Sequence, residues 1–154
     1  THLELYKAFR NIGGIVHTHS KWATSFAQAG KGIAPFGTTH ADYFYGPVPC
    51  ARSLTPDEVE EDYERNTGKV IIETFNERSI NPAHVPAVIC ANHGPFTWGK
   101  NAAKSVEASV ILEQVAQMAQ YTELLQLVDG IKAKITIDDI GDALGALGGL
   151  FGKK

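Results

Sequence analysis

The sequence predicts an α/β or α+β domain built around a mixed β-sheet. Three short apolar runs rich in β-branched residues, at 14–19, 69–75 and 87–91, have the composition of strands. Segments with helical spacing of apolar residues alternate with these runs, which is the pattern of helices packed on a sheet. At 154 residues the chain is long enough for one domain with its own core, and it contains no internal repeat.

The first third of the chain predicts a helix, a strand and a second helix. Thr1 and Glu4 have the spacing of a capping box, so a helix is expected to begin there and to end at the following pair of glycines. The strand at 14–19 follows, and Ser20 is expected to cap the second helix. The stretch 31–53 is rich in glycine, proline and aromatic residues with little regular period, which predicts a functional loop rather than disorder.

The middle of the chain predicts two further helices around the remaining strands. Thr55 and Glu58 form a second capping-box pattern, with a proline at the first helical position between them. That helix is expected to stop at Gly68, before the strand at 69–75. The longest helix is predicted at 102–128, where apolar residues recur with helical spacing.

The end of the chain differs in composition, so we divide the sequence into a domain at 1–125 and a glycine-rich amphipathic tail at 126–154. A short strand is predicted at 135–137, followed by a helix with its apolar residues on one face. Each glycine in that helix costs about 1 kcal/mol relative to alanine, so it requires a partner surface. The sequence does not distinguish between packing of this tail against its own domain and docking of the tail to another molecule.

The charge balance gives no reason to expect nucleic acid or a membrane as a partner. The 14 basic and 17 acidic residues are interspersed and leave a formal net charge of −3. No apolar run approaches the ~20 residues that cross a bilayer, and no secretory signal opens the chain. We therefore expect a cytoplasmic protein with a small polar substrate, and with Cys50 and Cys90 as free buried thiols. The start at Thr1, without a methionine, favours a sequence taken from within a longer protein.

Three histidines form the candidate metal site. His17 and His19 are separated by one residue at the end of an apolar strand, so their side chains should point to the same face. His93 follows a second apolar run and would complete a three-imidazole set with open positions for a substrate. Zinc, or another divalent ion that accepts imidazole ligands, is implied. Such an ion either polarises substrate oxygens or activates water, and spacing does not distinguish these reactions.

The other polar residues divide into candidates and residues without an expected role. His40 and Asp42, in the central loop, are candidate acid/base residues, although Asp42 could equally be a turn-capping residue. His2 and His84 fit a helix end and a turn, and we assign them no role. The acidic run at 60–62 is expected to form a solvated helix face.

Three separated blocks carry a resemblance to a known family. They are the stretches 13–20 (GGIVHTHS), 37–46 (GTTHADYFYG) and 93–101 (HGPFTWGKN). In this order they resemble the L-ribulose-5-phosphate 4-epimerases of the class II sugar-phosphate aldolase superfamily. The resemblance runs from residue 1 to about residue 119. The N-terminal segment and the C-terminal end of family members have no counterpart in this sequence.

The resemblance implies a fold, an assembly and a set of site residues. The fold would be an α/β/α three-layer class II aldolase-like fold with a largely antiparallel central sheet, N-terminally incomplete. The assembly would be a homotetramer with active sites at subunit interfaces. By similarity, Zn²⁺ or another divalent metal such as Mn²⁺ would be held by His17, His19 and His93. Asp42 would be the acid/base residue, acting across the interface. Substrate-binding and positioning residues would be Thr38, Thr39 and His40.

The resemblance also implies a reaction. The family inverts one carbinol centre of L-ribulose 5-phosphate by retro-aldol cleavage and re-addition, which yields D-xylulose 5-phosphate. Two alternatives remain beside that activity: a class II aldolase that acts on a related sugar phosphate, and a catalytically incomplete metal-binding fragment whose tail docks to a partner.

Overall fold

The computed structural model describes residues 1–132. The chain divides into two compact units, Thr1–Gln120 and Tyr121–Lys154. The elements are α1 (His2–Ala8), β1 (Gly14–His17), α2 (Lys21–Gln28), α3 (Thr38–Ala41), β2 (Cys50–Ala51), α4 (Pro56–Glu77), β3 (Ala87–Cys90), β4 (Gly94–Gly99) and α5 (Ala102–Lys132). The strand and helix expected after residue 134 lie outside the described residues.

The strands form a four-stranded mixed sheet in the order β1-β4-β3-β2. β4 pairs antiparallel with both β1 and β3, in a register that places Val16 opposite Thr97 and Val88 opposite Phe96. β2 pairs with β3 in parallel. The predicted mixed sheet is therefore confirmed, and the parallel β2–β3 pair means that the sheet is not antiparallel throughout.

Helices cover both faces of the sheet, because residues of β3 alternate between two hydrophobic clusters. Ala87 and Ile89 pack in a cluster with α2 and the first half of α5. Val88 and Cys90 pack in a second cluster with α1 and α4. This alternation is the period of two that a strand buried on both faces must have. The result is a helix, sheet, helix arrangement of layers.

The strand predicted at 69–75 is wrong, because this run lies inside α4. Its β-branched composition suggested a strand, but its buried residues have the spacing of one helix face: Val70, Ile71, Thr74 and Phe75. Gly68 does not end the helix either. A side chain at Gly68 would lie 2.9 Å from the Cβ atom of Glu4, so this glycine permits α1 to approach α4 closely.

Two of the three predicted helix caps differ in the structure. Thr55 accepts a hydrogen bond from the Glu58 amide and completes its capping box, as predicted. Thr1 and Ser20 occupy N-cap positions without side-chain cap bonds. At α2 the carboxylate of Glu113 instead accepts hydrogen bonds from two amides of the first turn, at 2.8 and 2.9 Å. A residue distant in sequence thus stabilises this helix end.

Three elements near the candidate site depart from the expected ones. β1 ends at His17 and does not reach residue 19. β4 was not predicted, because its first residues are a glycine and a proline. The loop 31–53 contains the four-residue α3 and the two-residue β2.

Cys50 and Cys90 are buried and free, as expected, and burial raises the pKa of both thiols. No helix in the described part of the chain has the length and apolar character needed to span a bilayer.

Candidate metal centre

The sheet brings the three predicted histidines together from two distant parts of the chain. His17 is the last residue of β1, opposite Phe96 of β4, and His19 follows two residues later. His93 lies in the tight turn between β3 and β4, next to Asn92, which has a positive φ of 60°. Because β1 and β4 are paired, the end of β1 lies beside this turn.

The donor atoms of the three histidines converge on one point. One ring nitrogen from each of His17, His19 and His93 lies within 4.8 Å of the other two. The ring centroids are 4.6 Å apart for His17 and His93, 4.9 Å for His17 and His19, and 5.2 Å for His19 and His93. A tetrahedral ion with metal–nitrogen bonds of about 2.0–2.1 Å requires ligands roughly 3.3 Å apart, so small side-chain rotations suffice.

Gly94 makes room for this cluster. A Cβ atom at this position would lie 2.7 Å from the carbonyl oxygen of Thr18 and 3.0 Å from the ring of His19. It would also lie 3.5 Å from the ring of His17. A side chain here would therefore collide with the Thr18 carbonyl and crowd the ring of His19, whereas its distance to His17 is an ordinary contact.

Hydrogen bonds fix the Nδ1 side of two of the rings. His17 Nδ1 lies 2.9 Å from the carbonyl oxygen of Pro95, which can only accept, so this nitrogen carries the proton and donates. His93 Nδ1 lies 3.1 Å from the hydroxyl oxygen of Tyr63. Nε2 of each ring is then left for a metal, an arrangement typical of metal-binding histidines.

The surroundings of the site favour neutral imidazoles. Partial burial lowers the pKa of His17, against the opposing effect of its bond to Pro95, and the neighbouring His19 lowers it further. Burial, followed by the charges of His17 and His19, also lowers the pKa of His93. The face of Phe96 stacks on the ring of His17 with centroids 4.1 Å apart. Metal ions bind the neutral form of histidine, so these environments suit a ligand role.

The donor set fits a divalent transition metal with open coordination positions. Three imidazoles suit zinc and its neighbours in the first transition row, and do not suit calcium or magnesium, which prefer oxygen. With three protein ligands, a four- or five-coordinate ion would keep at least one position for water or substrate. The cluster could therefore hold a catalytic metal ion.

The residues predicted from the central loop lie on α3 and beside it. Thr38, Thr39 and His40 belong to this helix, and the exposed Asp42 caps its C-terminus. His40 is only 3% exposed, and its Nε2 lies 2.7 Å from the carbonyl oxygen of Gly46, which braces the loop. Within residues 1–132, no hydrogen bond, ion pair or ring contact joins these residues to the three histidines.

Tyr63 is a site residue that the sequence did not suggest. It lies among the charged residues of α4, and no motif distinguishes it from the solvated acidic face next to it. It borders a cleft of about 170 Å³ together with His93 and Arg52. The Arg52 guanidinium is bound by the carboxylates of Glu58 and Glu73 at 2.8–2.9 Å, so its charge is already paired.

Comparison with known proteins finds related sequences over most of this chain. Residues 1–120 match the family described as Class II Aldolase and Adducin N-terminal domain. The chain is 54% identical over 119 residues to the L-ribulose-5-phosphate 4-epimerase UlaF of Salmonella paratyphi B, which covers 77% of this chain and 51% of the relative. UlaF of Salmonella typhi gives the same figures. The chain thus spans about half the length of the curated relatives it matches.

Solved structures with lower identity show the same fold. An L-fuculose 1-phosphate aldolase matches with a TM-score of 0.62 and 21% identity, over 80% of this chain and 52% of that chain. The L-fuculose-1-phosphate aldolase from Thermus thermophilus also has a TM-score of 0.62, with 20% identity over 81% of this chain and 60% of that chain. Together with the match over residues 1–120, they identify this chain as a member of the class II aldolase and adducin N-terminal domain family.

Proposed function

We propose that this chain supplies the metal-binding part of an L-ribulose-5-phosphate 4-epimerase. The observation that carries the proposal is the convergence of three imidazole donors within 4.8 Å at a sheet end. The supporting comparison is the 54% identity to UlaF epimerases, which is far above the identity to the aldolases of the same fold. On this proposal residues 1–125 are the partial catalytic domain and 126–154 are a separate tail.

His17, His19 and His93 would hold the metal ion, for which Zn²⁺ is the first candidate and Mn²⁺ the second. The ion would supply Lewis acidity, which stabilises the negative charge that develops on substrate oxygens when a carbon–carbon bond next to a carbonyl breaks. The local environment lowers the pKa of His17 and His93, which favours the neutral imidazole that a metal ion binds.

Asp42 would move the proton of the substrate's C4 hydroxyl. Removal of this proton forms the aldehyde of glycolaldehyde phosphate as the C3–C4 bond breaks, and the electron pair passes to the three-carbon enediolate. Re-addition to the opposite face of the rotated aldehyde inverts C4, and an acid/base group on the opposite side of the substrate would supply the proton to the C4 oxygen.

Asp42 has no described contact with the histidines of its own chain, so it would act in a homotetramer whose active sites lie between subunits. Its exposure at the end of α3 is compatible with that placement. Thr38, Thr39 and His40 would position it or bind substrate. In the described structure, the bond from the His40 ring to Gly46 supports a positioning role.

The experiment measures D-xylulose 5-phosphate formed from L-ribulose 5-phosphate. The full chain is assayed first, followed by a chimera in which residues 1–120 replace the matching segment of Salmonella UlaF. We expect the chimera to be active with added Zn²⁺, and its His17→Ala variant to be inactive. A folded, metal-loaded chimera without epimerase activity would contradict the proposal.

The same preparations distinguish the two alternatives. A class II aldolase would release an aldehyde from a related sugar phosphate, such as L-fuculose 1-phosphate, without forming the epimer. A catalytically incomplete fragment would bind zinc but give no turnover, either as the isolated chain or within the chimera.

A further inference from the structure

Tyr63 supplies the one hydrogen bond that the described structure gives to the ring of His93. Its hydroxyl oxygen lies 3.1 Å from His93 Nδ1, and the two ring centroids are 5.7 Å apart. Tyr63 is 41% exposed, and its hydroxyl is the part of the side chain that contacts the histidine cluster. The contact with His93 is therefore a polar one at the rim of the cleft.

A break in α4 places Tyr63 toward the turn that carries His93. Asp62 has φ −163° and ψ 80°, which interrupts the helical backbone, and its side chain accepts a hydrogen bond from the amide of Arg65. This is the geometry of an N-cap residue, so Tyr63 occupies the first position of a new helical segment. Asn66 Nδ2 donates to the carbonyl oxygen of Glu58 across the break, at 2.9 Å. The position of Tyr63 is therefore fixed from both sides.

His17 shows what such a contact does in this cluster. Its Nδ1 donates to the carbonyl oxygen of Pro95, so Nε2 keeps its lone pair and faces away from that bond. A phenol hydroxyl can either donate or accept a hydrogen bond. The Tyr63 oxygen can therefore accept one from Nδ1–H of His93 when Nε2 is a metal ligand. Two rings of the cluster are thus held on the side opposite the proposed metal.

We propose that Tyr63 is a positioning residue of this metal centre. Its hydroxyl oxygen accepts a hydrogen bond from Nδ1–H of His93, selects the tautomer with a free Nε2 and holds the ring toward His17 and His19. The inference rests on the proposed metal role of the three histidines. Partners of this kind typically change metal affinity by about 10- to 100-fold when they are removed.

The first test compares the zinc affinity of the full-length chain with that of Tyr63→Phe, measured by competition with a chromogenic chelator. We expect zinc to bind about 10- to 100-fold more weakly to the variant, because only the hydroxyl is lost. Tyr6→Phe is the matched control, since Tyr6 is a similarly exposed tyrosine on α1, and its affinity should stay within about twofold of the wild type.

The second test separates positioning from general destabilisation. In the zinc-loaded wild type with ¹⁵N-labelled histidine, the Nδ1–H signals of His17 and His93 should both exchange slowly with solvent. In Tyr63→Phe the His93 signal alone should lose its protection, whereas a loosened fold would affect both. Unchanged zinc affinity in a folded Tyr63→Phe variant would overturn the inference and leave the proposed function intact. A wild type that binds no zinc would overturn both.

Discussion

The histidine cluster and the Arg52 cluster both gather polar side chains from distant parts of the chain, but only the second pairs opposite charges. Arg52 donates to Glu58 and Glu73 through both ends of its guanidinium, and Glu58 also caps α4. His17 and His93 have a carbonyl and a phenol as Nδ1 partners, and their other nitrogens converge without a carboxylate among the described ion pairs.

This difference indicates which cluster is incomplete without a ligand. Opposite charges that already pair with one another at a surface need no further partner, although each such pair contributes little to stability. The three imidazoles of the histidine cluster lie close together, so they repel one another once they are protonated and positively charged. On the proposed function, a divalent cation would be the partner that the described side chains do not provide for the histidine cluster.

The largest effect is expected from His17→Ala. Removing one of three ligands should weaken zinc binding by more than about 100-fold, beyond the loss caused by removing an outer hydrogen-bond partner. Metal content after dialysis, measured by mass spectrometry, checks this, with circular dichroism as the test of folding. His84→Ala is the control, because His84 is an exposed histidine in a turn outside the cluster. If His17→Ala kept its full zinc content, the histidine cluster would not be the zinc site, and the proposed difference from the Arg52 cluster would be wrong.

A smaller effect is expected from Gly94→Ala, which keeps all three histidines but crowds the Thr18 carbonyl oxygen and the ring of His19. The new Cβ would lie 2.7 Å from the Thr18 carbonyl oxygen, so the segment must shift. We expect a loss of unfolding free energy of about 1–3 kcal/mol, typical of overpacking, together with weaker zinc binding. Urea denaturation and chelator competition measure the two quantities.

Gly130→Ala is the matched control for Gly94→Ala. Within residues 1–132, no atom outside the neighbouring helix backbone lies within 4 Å of a Cβ built at Gly130, which is a helical residue, so alanine should be tolerated there. If Gly94→Ala bound zinc as tightly as Gly130→Ala, the close approach at Gly94 would have no part in holding the metal site.

The sequence predicted the grouping of the three histidines better than it predicted the fold around them. His17 and His93 could be paired because ligands at strand ends follow apolar runs that are visible in the sequence. The strand prediction at 69–75 was wrong because a buried β-branched segment can form either a strand or a helix. Packing against α1 favours the helix, and this contact is not visible in the sequence. Gly68 was predicted to end the helix because glycine is common at helix ends. Its actual role, the close contact with α1, is visible only in the three-dimensional structure. Tyr63 could not be found because the break at Asp62 that positions it leaves no sequence signal.

A modest effect is expected from Arg52→Gln, which tests whether the Arg52 cluster has only a structural role. The variant leaves Glu58 and Glu73 without their shared partner. Since exposed ion pairs contribute little, the midpoint of thermal unfolding should fall by no more than about 4 °C. Zinc affinity should not change. Lys7→Gln, which removes a simpler exposed pair with Glu4, should have a still smaller effect on the midpoint. Loss of zinc binding in Arg52→Gln would show that the two clusters are coupled.

The smallest effect is a pH dependence that belongs to the Arg52 cluster. Hydrogen bonds from Arg52, and then from the Thr55 amide, lower the pKa of Glu58 from about 4.5 to about 2. Between these values the folded protein binds fewer protons than the unfolded chain, so this stabilisation is complete above pH 4.5 and is lost as the pH falls toward 2. Glu58→Gln keeps an N3 side chain able to cap α4 but has no carboxylate to titrate. The difference in urea midpoint between wild type and Glu58→Gln should therefore be largest near neutral pH and shrink below about pH 4.5. A difference that stays constant down to about pH 3 would mean that packing or capping, and not the ion pair, gives Glu58 its contribution to stability.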